Sequence, residues 1–443
     1  MKVEVVSKEM VRPSSPTPES LKTYKLSFMD QLAFNVRIPF VFFYDSSGDD
    51  HTNNTIDELK KSLSKTLSLM YPLAGRAKED RLTVECNDEG VEFIVADVAE
   101  NMCCLLDNPE MEKIRQLSPS AKVYEPQPVG KVLVAIQVNR FSCGGIAIGF
   151  FVSHAILDGS TLAKFLETWA SFNRGCAVNN GGSGFISSSN NHSTILFPPL
   201  TDTSALERSV KMAAEAVQQE EKHLVVKRFL IPANAIAQLR EELICKENNK
   251  GFQRPSRTEA ITALVWAAVI NATPPTQTVT LSCMVDLRSR MEPPLPPNCL
   301  GNLTYGATVH CAAKDGTVVT AAQLVQRIRD SLRAVNDGAA RKVYGEGGLL
   351  RAVFARGDEM VRNKDSSTLY TSSLCRMPYY EIDFGWGKPR LVVNMVKNSM
   401  VLFLDAINGG VEVWMGLPKQ LMHTLTQDHH FLAYVSGFPK PKL

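Results

Sequence analysis

Ile146 to Val152 is a short apolar run in the middle of the chain, and its surroundings narrow the fold more than any other feature does. With Lys131 to Phe141 it makes a β-hairpin pattern across Cys143-Gly144-Gly145. It is followed within a few residues by Thr161 to Phe172, where Leu162, Phe165, Leu166, Trp169 and Phe172 share one helical face. A membrane span needs about 18 to 20 consecutive apolar residues, so the run reads as a core strand and the chain as soluble. A strand that feeds an amphipathic helix in this way calls for sheet and helix packed in one domain.

The rest of the chain repeats that mixture. Ile38 to Tyr44 reads as an apolar, aromatic strand. Ile56, Leu59, Leu63, Leu67 and Met70 form one helical stripe that Tyr71-Pro72 ends. Strands at Leu82 to Cys86 and Val91 to Ala96 flank Asn87-Asp88-Glu89-Gly90, a hairpin signal. Asn179 to Ser193 is a Gly/Ser/Asn run that reads as a surface loop, and Ala205 to His223 carries a weak helical stripe. The second half restarts with a strand at Leu224 to Ile231 and predicts helices at Ala233 to Cys245, Thr258 to Val269 and Ala321 to Ala334. Further strands are expected at Thr278 to Val285, Leu391 to Val396, Met400 to Leu404 and Val411 to Met415. The expectation is a mixed α/β chain in two contiguous domains, 1–200 and 224–443, joined by a linker over 201–223.

Composition removes several function classes. With 48 Lys+Arg against 46 Asp+Glu, the net charge of +2 gives little reason to expect nucleic acid as a partner. Met1 to Pro18 carries charges and three prolines where a secretory signal would be apolar, so the reading is a cytoplasmic protein whose cysteines are free thiols. The C-terminal Pro-Lys-Leu only loosely echoes a peroxisomal signal, and the Asn-x-Ser/Thr matches are read as chance. No metal site is expected, since His429-His430 and Cys103-Cys104 are adjacent pairs and no His-Glu-x-x-His occurs. Nor is there a Gly-x-Ser-x-Gly elbow, a dinucleotide fingerprint or a phosphate-binding loop.

Between strand and helix stands Ser153-His154-Ala155-Ile156-Leu157-Asp158-Gly159, with Ser160 expected as the helix cap. Taken alone, the motif has two readings: His154 is a base for activating an alcohol or amine, or it caps and packs at a turn. Asp383-Phe384-Gly385-Trp386-Gly387, with Arg376-Met377-Pro378 before it, reads by itself as a structural loop whose glycines permit a tight path around a large ring.

Together these motifs and their positions resemble the plant BAHD acyltransferases over the whole chain. Lys25-Leu26-Ser27 with Asp30-Gln31, Tyr71-Pro72-Leu73-Ala74-Gly75-Arg76, Cys86 to Gly90, and Arg254-Pro255-Ser256-Arg257-Thr258-Glu259-Ala260 add to the likeness. It is strongest to the branch of vinorine synthase, deacetylvindoline acetyltransferase and the alcohol acyltransferases. The resemblance implies two chloramphenicol-acetyltransferase-like domains with a solvent channel between them, no bound cofactor, and acyl-CoA, with acetyl favoured, as co-substrate. It implies a monomer in which His154 takes the proton from the acceptor hydroxyl and Asp158 pairs structurally with Arg288. Asp383, Gly385, Trp386 and Gly387 would brace the site, and Ser256, Arg257 and Thr258 would contact CoA. The chain departs from the hydroxycinnamoyl-transferring members at Leu374, where they carry an oxyanion-holding Trp. Leu374 cannot donate a hydrogen bond, and Ser372 is the candidate replacement.

The function expected on this resemblance is acetyl transfer to a hydroxyl of a plant specialised metabolite, a triterpenoid, limonoid or alkaloid. Two alternatives stay open. One is transfer of a longer or aromatic acyl group to a volatile alcohol or amine, and the other is a catalytically silent binding protein on the same scaffold.

Overall fold

The computed structural model describes residues 1–33, 36–46, 53–107, 109–120, 130–176, 192–204, 207–208, 211, 215, 223–245, 253–312, 318–344, 366–395 and 399–436. The chain forms two compact units. The first holds β1 (Val3–Val11), β2 (Thr23–Lys25), α1 (Phe28–Leu32), β3 (Arg37–Tyr44), α2 (Asn53–Leu69), β4 (Arg76–Ala77), β5 (Thr83–Glu85), β6 (Val91–Val98), β7 (Val134–Phe141), β8 (Ile146–Ser153) and α3 (Gly159–Asn173). The second holds β9 (Leu224–Ile231), α4 (Ala233–Cys245), α5 (Arg257–Ala272), β10 (Thr278–Asp286), β11 (Thr304–Ala312), α6 (Ala321–Ala334) and β12 (Ser366–Ser373). The chain then visits the first unit once more as β13 (Leu391–Asn394) and ends in the second as β14 (Met400–Asp405) and β15 (Val411–Pro418).

In the first unit a six-stranded sheet runs β1-β6-β7-β8-β3-β13, antiparallel except where β6 and β7 run parallel. The expected hairpin is present, with Val134 opposite Val152 and Arg140 opposite Ile146. Every residue of β8 is buried, which is why its sequence is continuously apolar rather than alternating. The helix α3 lies over this core: Trp169 meets Phe150 edge to face at 6.0 Å, and its Nε1 donates to Leu59 O and Ser62 Oγ on α2, both at 3.0 Å. Burying a large side chain contributes about 1.5–3 kcal/mol and aromatic geometry roughly 0.5–1.5, so burial dominates what holds α3 down.

The second unit carries its own six-stranded sheet, β11-β10-β12-β14-β15-β9, parallel at β10–β12 and β12–β14. In α5 every residue from Ala260 to Ile270 is buried, as a helix apolar on all sides must be. Among the described residues no helix is long and apolar enough to cross a membrane.

Four expectations change. The division is not contiguous, because Leu295–Leu303 and Pro378–Val396 belong with the first unit. The strand at Leu391 pairs antiparallel with β3, Leu391 opposite Phe43, so the apolar run completes the earlier sheet. Asn87 to Gly90 is not a hairpin: β5 pairs with β2 and β4, and β6 with β1 and β7. The turn instead hands the chain from one sheet to another. A Cβ on Gly90 would lie 2.3 Å from Val11 O, so the glycine serves a close approach to β1. Most of Asn179 to Ser193 and of the linker over 201–223 lies outside the described residues. His192 and Ser193, the described end of that run, open a short helix, His192–Leu196, rather than a loop.

Candidate active site

His154 follows β8 directly, in the turn that leads to α3. Its backbone N–H donates to Val36 O at 2.8 Å, and its carbonyl accepts from Asn302 Nδ2 at 2.6 Å, so the peptide units on either side of the side chain are both tied. The residue is half-buried. Two neighbouring buried atoms, Ser153 Oγ and His154 Nδ1, have no hydrogen-bond partner. Buried polar atoms left unpaired cost roughly 1–3 kcal/mol each and are uncommon, so a pair of them marks this turn as a place where packing alone does not decide. Burial pushes the imidazole pKa below 6.5, ahead of the opposing pull from nearby Asp158. The ring is therefore neutral, and a proton acceptor, at neutral pH.

Asp158, not Ser160, caps α3. Its Oδ1 accepts from Thr161 N and Thr161 Oγ1, both at 2.9 Å, and its Oδ2 accepts from Leu303 N at 3.2 Å. Both residue types cap well, but a carboxylate two positions earlier reaches the third helical N–H while its second oxygen takes a donor from a distant strand end. Asp158 is 2 % exposed, and the imidazole Nδ1 has no hydrogen-bond partner.

Residues far apart in the chain, with no local pattern linking them, complete this end of α3. Asn302 donates its backbone N–H to Asp30 Oδ1 at 2.8 Å and its Nδ2 to the same oxygen at 2.9 Å, besides holding the His154 carbonyl. Tyr379 Oη donates to Gly159 O at 3.0 Å while its ring stacks on Phe40 at 5.5 Å. The signal for Asp30 was its place after Ser27, where the pair forms a capping box for α1.

Asp383, Gly385, Trp386 and Gly387 gather at the other end of the same helix. Asp383 Oδ1 accepts from Gly385 N at 2.7 Å and Gly387 N at 2.9 Å, across two residues with φ of 113° and 108°. Phe384 meets Trp169 at 4.8 Å and Trp386 at 5.6 Å, and its carbonyl accepts from Asn173 Nδ2 at 2.7 Å. One segment, 378–396, thus grips α3 at both termini.

The other expected residues lie in the second unit. Ser256 caps α5 by accepting from Glu259 N at 3.2 Å. Burial alone would raise Glu259, but Arg329, at 3.2 and 3.3 Å, and Ser256 outweigh it and hold the carboxyl below its usual range. Ser256 and Thr258 line a cavity of about 270 Å³ with Arg290, Arg333, Thr371 and Ser373. Arg257 is absent from that lining and is ion-paired with Asp405. Ser372 lies between two lining residues on β12 and so faces the opposite side of the strand. Arg288 is 5 % exposed and bonds Asp286 Oδ1 through NH1 at 3.2 Å.

Comparison with known proteins gives this geometry a context. Limonoid 21-O-acetyltransferase of Melia azedarach is 37% identical over 446 residues, 99% of each chain. Vinorine synthase of Rauvolfia serpentina is 34% identical over 441 residues, 96% of each chain. The crystal structure of vinorine synthase superimposes with a TM-score of 0.78 at 30% identity, covering 98% of both chains. TRI101 of F. sporotrichioides, crystallised with coenzyme A and T-2, shares the fold with a TM-score of 0.74 at 17% identity, over 93% of this chain and 99% of its own. The model of the Transferase family matches residues 1–432, and the chain belongs to that family, the BAHD acyltransferases.

Proposed function

We propose that this protein is an acyl-CoA-dependent O-acyltransferase that moves acetyl from acetyl-CoA to a hydroxyl of a specialised metabolite, with a limonoid-type alcohol as the first acceptor class to test. The observation that carries the proposal is His154: a half-buried imidazole whose pKa is depressed by burial, held by its own peptide units at a strand-to-helix turn. A base of this kind remains unprotonated at neutral pH without losing its reach to solvent. The acetyl group and the limonoid class follow from the relatives that act on them.

In the proposed reaction the imidazole takes the proton of the acceptor hydroxyl as the oxygen attacks the thioester carbonyl. The tetrahedral intermediate breaks its carbon–sulfur bond, and the departing thiolate receives that proton, leaving ester and free CoA. No acyl-enzyme forms. General-base catalysis supplies roughly a factor of 10² to 10⁴, so positioning of both substrates must contribute much of the remainder. For CoA we infer the cavity at the start of α5, where Ser256 and Thr258 meet Arg290 and Arg333. Helix N–H groups and guanidinium groups suit a phosphate, and about 270 Å³ fits a portion of so large a ligand. Arg257, ion-paired with Asp405, leaves that list. From the family resemblance we retain Arg288 as the partner of Asp158; a double-mutant cycle with no coupling between them would remove it. Ser372 is kept for the oxyanion on the same ground, with Ser372→Ala as its test. The enzyme is proposed to act as a monomer in the cytoplasm.

The deciding experiment incubates the purified protein with a mixed acyl-CoA pool and a panel of hydroxylated limonoids, following thiol release and product mass. Acetylated product from the native protein and none from His154→Ala is the expected result. Products carrying longer acyl groups would redirect the substrate assignment, and no thiol release with any acceptor would return the chain to a binding protein.

A further inference from the structure

The buried carboxylate of Asp30 has no place in the reaction proposed for His154, yet its arrangement is costly. Asp30 is fully buried, and among the described residues no Lys or Arg pairs with it. Its oxygens are met by four donors: Ser27 N at 2.8 Å, Ser27 Oγ at 2.6 Å, Asn302 N at 2.8 Å and Asn302 Nδ2 at 2.9 Å. Burial still raises its pKa to about 6, so desolvation outweighs those four bonds. The titratable neighbour is Tyr24 on β2, itself pushed up by burial and by Asp30. A charge held at such a cost asks what it is holding.

It holds Asn302. A side-chain amide has two N–H donors, and here one goes to Asp30 and the other, at 2.6 Å, to the carbonyl of His154. Both partners are acceptors only, which fixes the orientation of the amide. The preceding Gly301 has φ of 107°, and a Cβ there would lie 3.3 Å from Asp30 Oδ1, so the segment is shaped to bring Asn302 onto the carboxylate. We infer that Asp30 and Asn302 form a positioning pair for the proposed acyl transfer: Asp30 anchors Asn302, and Asn302 fixes the backbone of His154 and hence the aim of its imidazole. The inference rests on His154 being the base.

Asn302→Ala separates the two halves of this device, because its backbone N–H still reaches Asp30 while the bond to His154 is lost. In the limonoid and acetyl-CoA assay kcat is expected to fall by about 10- to 100-fold with KM for acetyl-CoA unchanged within about twofold, since a misplacement near 1 Å can cost that much. The ring C–H signal of His154 in a proton NMR titration, identified by its loss in His154→Ala, is expected to move its midpoint further below 6.5, because the Asn302 side chain raises the imidazole against the effect of burial. This arm needs no acceptor. Unchanged kcat overturns the inference, and so does a loss of kcat with the His154 midpoint unmoved. If Asn302→Ala does not fold, Asp30→Asn is read by the same two criteria. Full activity in His154→Ala would defeat the proposed reaction itself, whereas an inactive His154→Ala beside a fully active Asn302→Ala defeats only the positioning pair.

Discussion

Two helices in this chain begin at places expected to matter, and they begin differently. The start of α3 is closed by a carboxylate: Asp158 is 2 % exposed, and its oxygens are taken by Thr161 and Leu303. The start of α5 is capped by the neutral hydroxyl of Ser256 and opens onto a cavity with arginines on its wall. A helix N-terminus carries about half a positive charge. Neutralising it with a buried Asp fixes the helix and repels an anion, which suits a turn proposed to aim His154. Capping it with Ser satisfies an N–H and leaves the field available, which suits a phosphate. The acidic Glu259 of the Ser256 capping box would spoil that field, but Arg329 is bonded to it.

The sharpest way to break the contrast is to remove the imidazole. His154→Ala is expected to lower kcat by at least about 10²- to 10⁴-fold, measured as thiol release, with little change in the thermal midpoint, because the ring makes no hydrogen bond through Nδ1 that folding would miss. Comparable loss from Ser256→Ala would erase the difference between the two helix starts.

Next in size is the cap itself. Asp158→Ala removes the acceptor for two backbone N–H groups, Thr161 and Leu303, in a buried setting. The expected loss is about 1–3 kcal/mol of unfolding free energy in a urea titration. Turnover should fall with it. A variant as stable as the parent but selectively inactive would make Asp158 part of the chemistry rather than of the scaffold.

How much of this could be read beforehand follows the range of each interaction. Helices Ala233–Cys245 and Ala321–Ala334 match their expected ends, because a helical stripe is written within a few residues. The His154 turn was legible for the same reason, being flanked by a buried strand and an amphipathic helix. Strands Thr304–Ala312 and Ser366–Ser373 were not, since their small and polar residues show no apolar alternation. The choice of Asp158 over Ser160 as cap turned on Leu303, far away in sequence. Asn302 and Asp30 are 272 positions apart, and nothing local marks them as partners. Likewise Leu391–Asn394 reads as a strand but not as a strand of the first sheet. Local patterns indicated elements and motif; the contacts that brace the motif come from two later segments that return to the first unit.

Ser256→Ala tests the open helix start. Loss of a Ser cap costs about 0.5–2 kcal/mol, so a modest drop in stability is expected. The more telling reading is kinetic: KM for acetyl-CoA should rise about three- to tenfold with kcat nearly unchanged, as when binding is lost equally from ground and transition states. Arg333→Ala should act in the same direction and flatten further at high salt. A fall in kcat with KM constant would mean that this cavity does not hold the cofactor end of the substrate.

The smallest effect is in the pH dependence, where half-buried His154 and buried Asp30, near the closed start, pull in opposite directions. His154 is depressed below 6.5 by burial, so the folded state binds fewer protons than the unfolded one there. Its contribution to stability is present above 6.5 and is lost as pH falls toward its folded pKa. Asp30 is raised from 3.8 to about 6, so its contribution is present below 3.8 and lost as pH rises through about 6. Where the two ranges overlap, the slopes oppose each other in global stability. Activity has no such offset. Protonating Asp30 takes an acceptor from Asn302, so the acid limb of kcat/KM should fall near pH 6 in the native protein, below the 6.5 of an ordinary histidine. In Asp30→Asn the Asp30 component of that limb should be lost, leaving the titration of His154, which lies below 6.5, beneath a lower plateau. A limb at or above 6.5 in the native enzyme would show that His154 titrates as an exposed ring, and the closed helix start would then protect nothing.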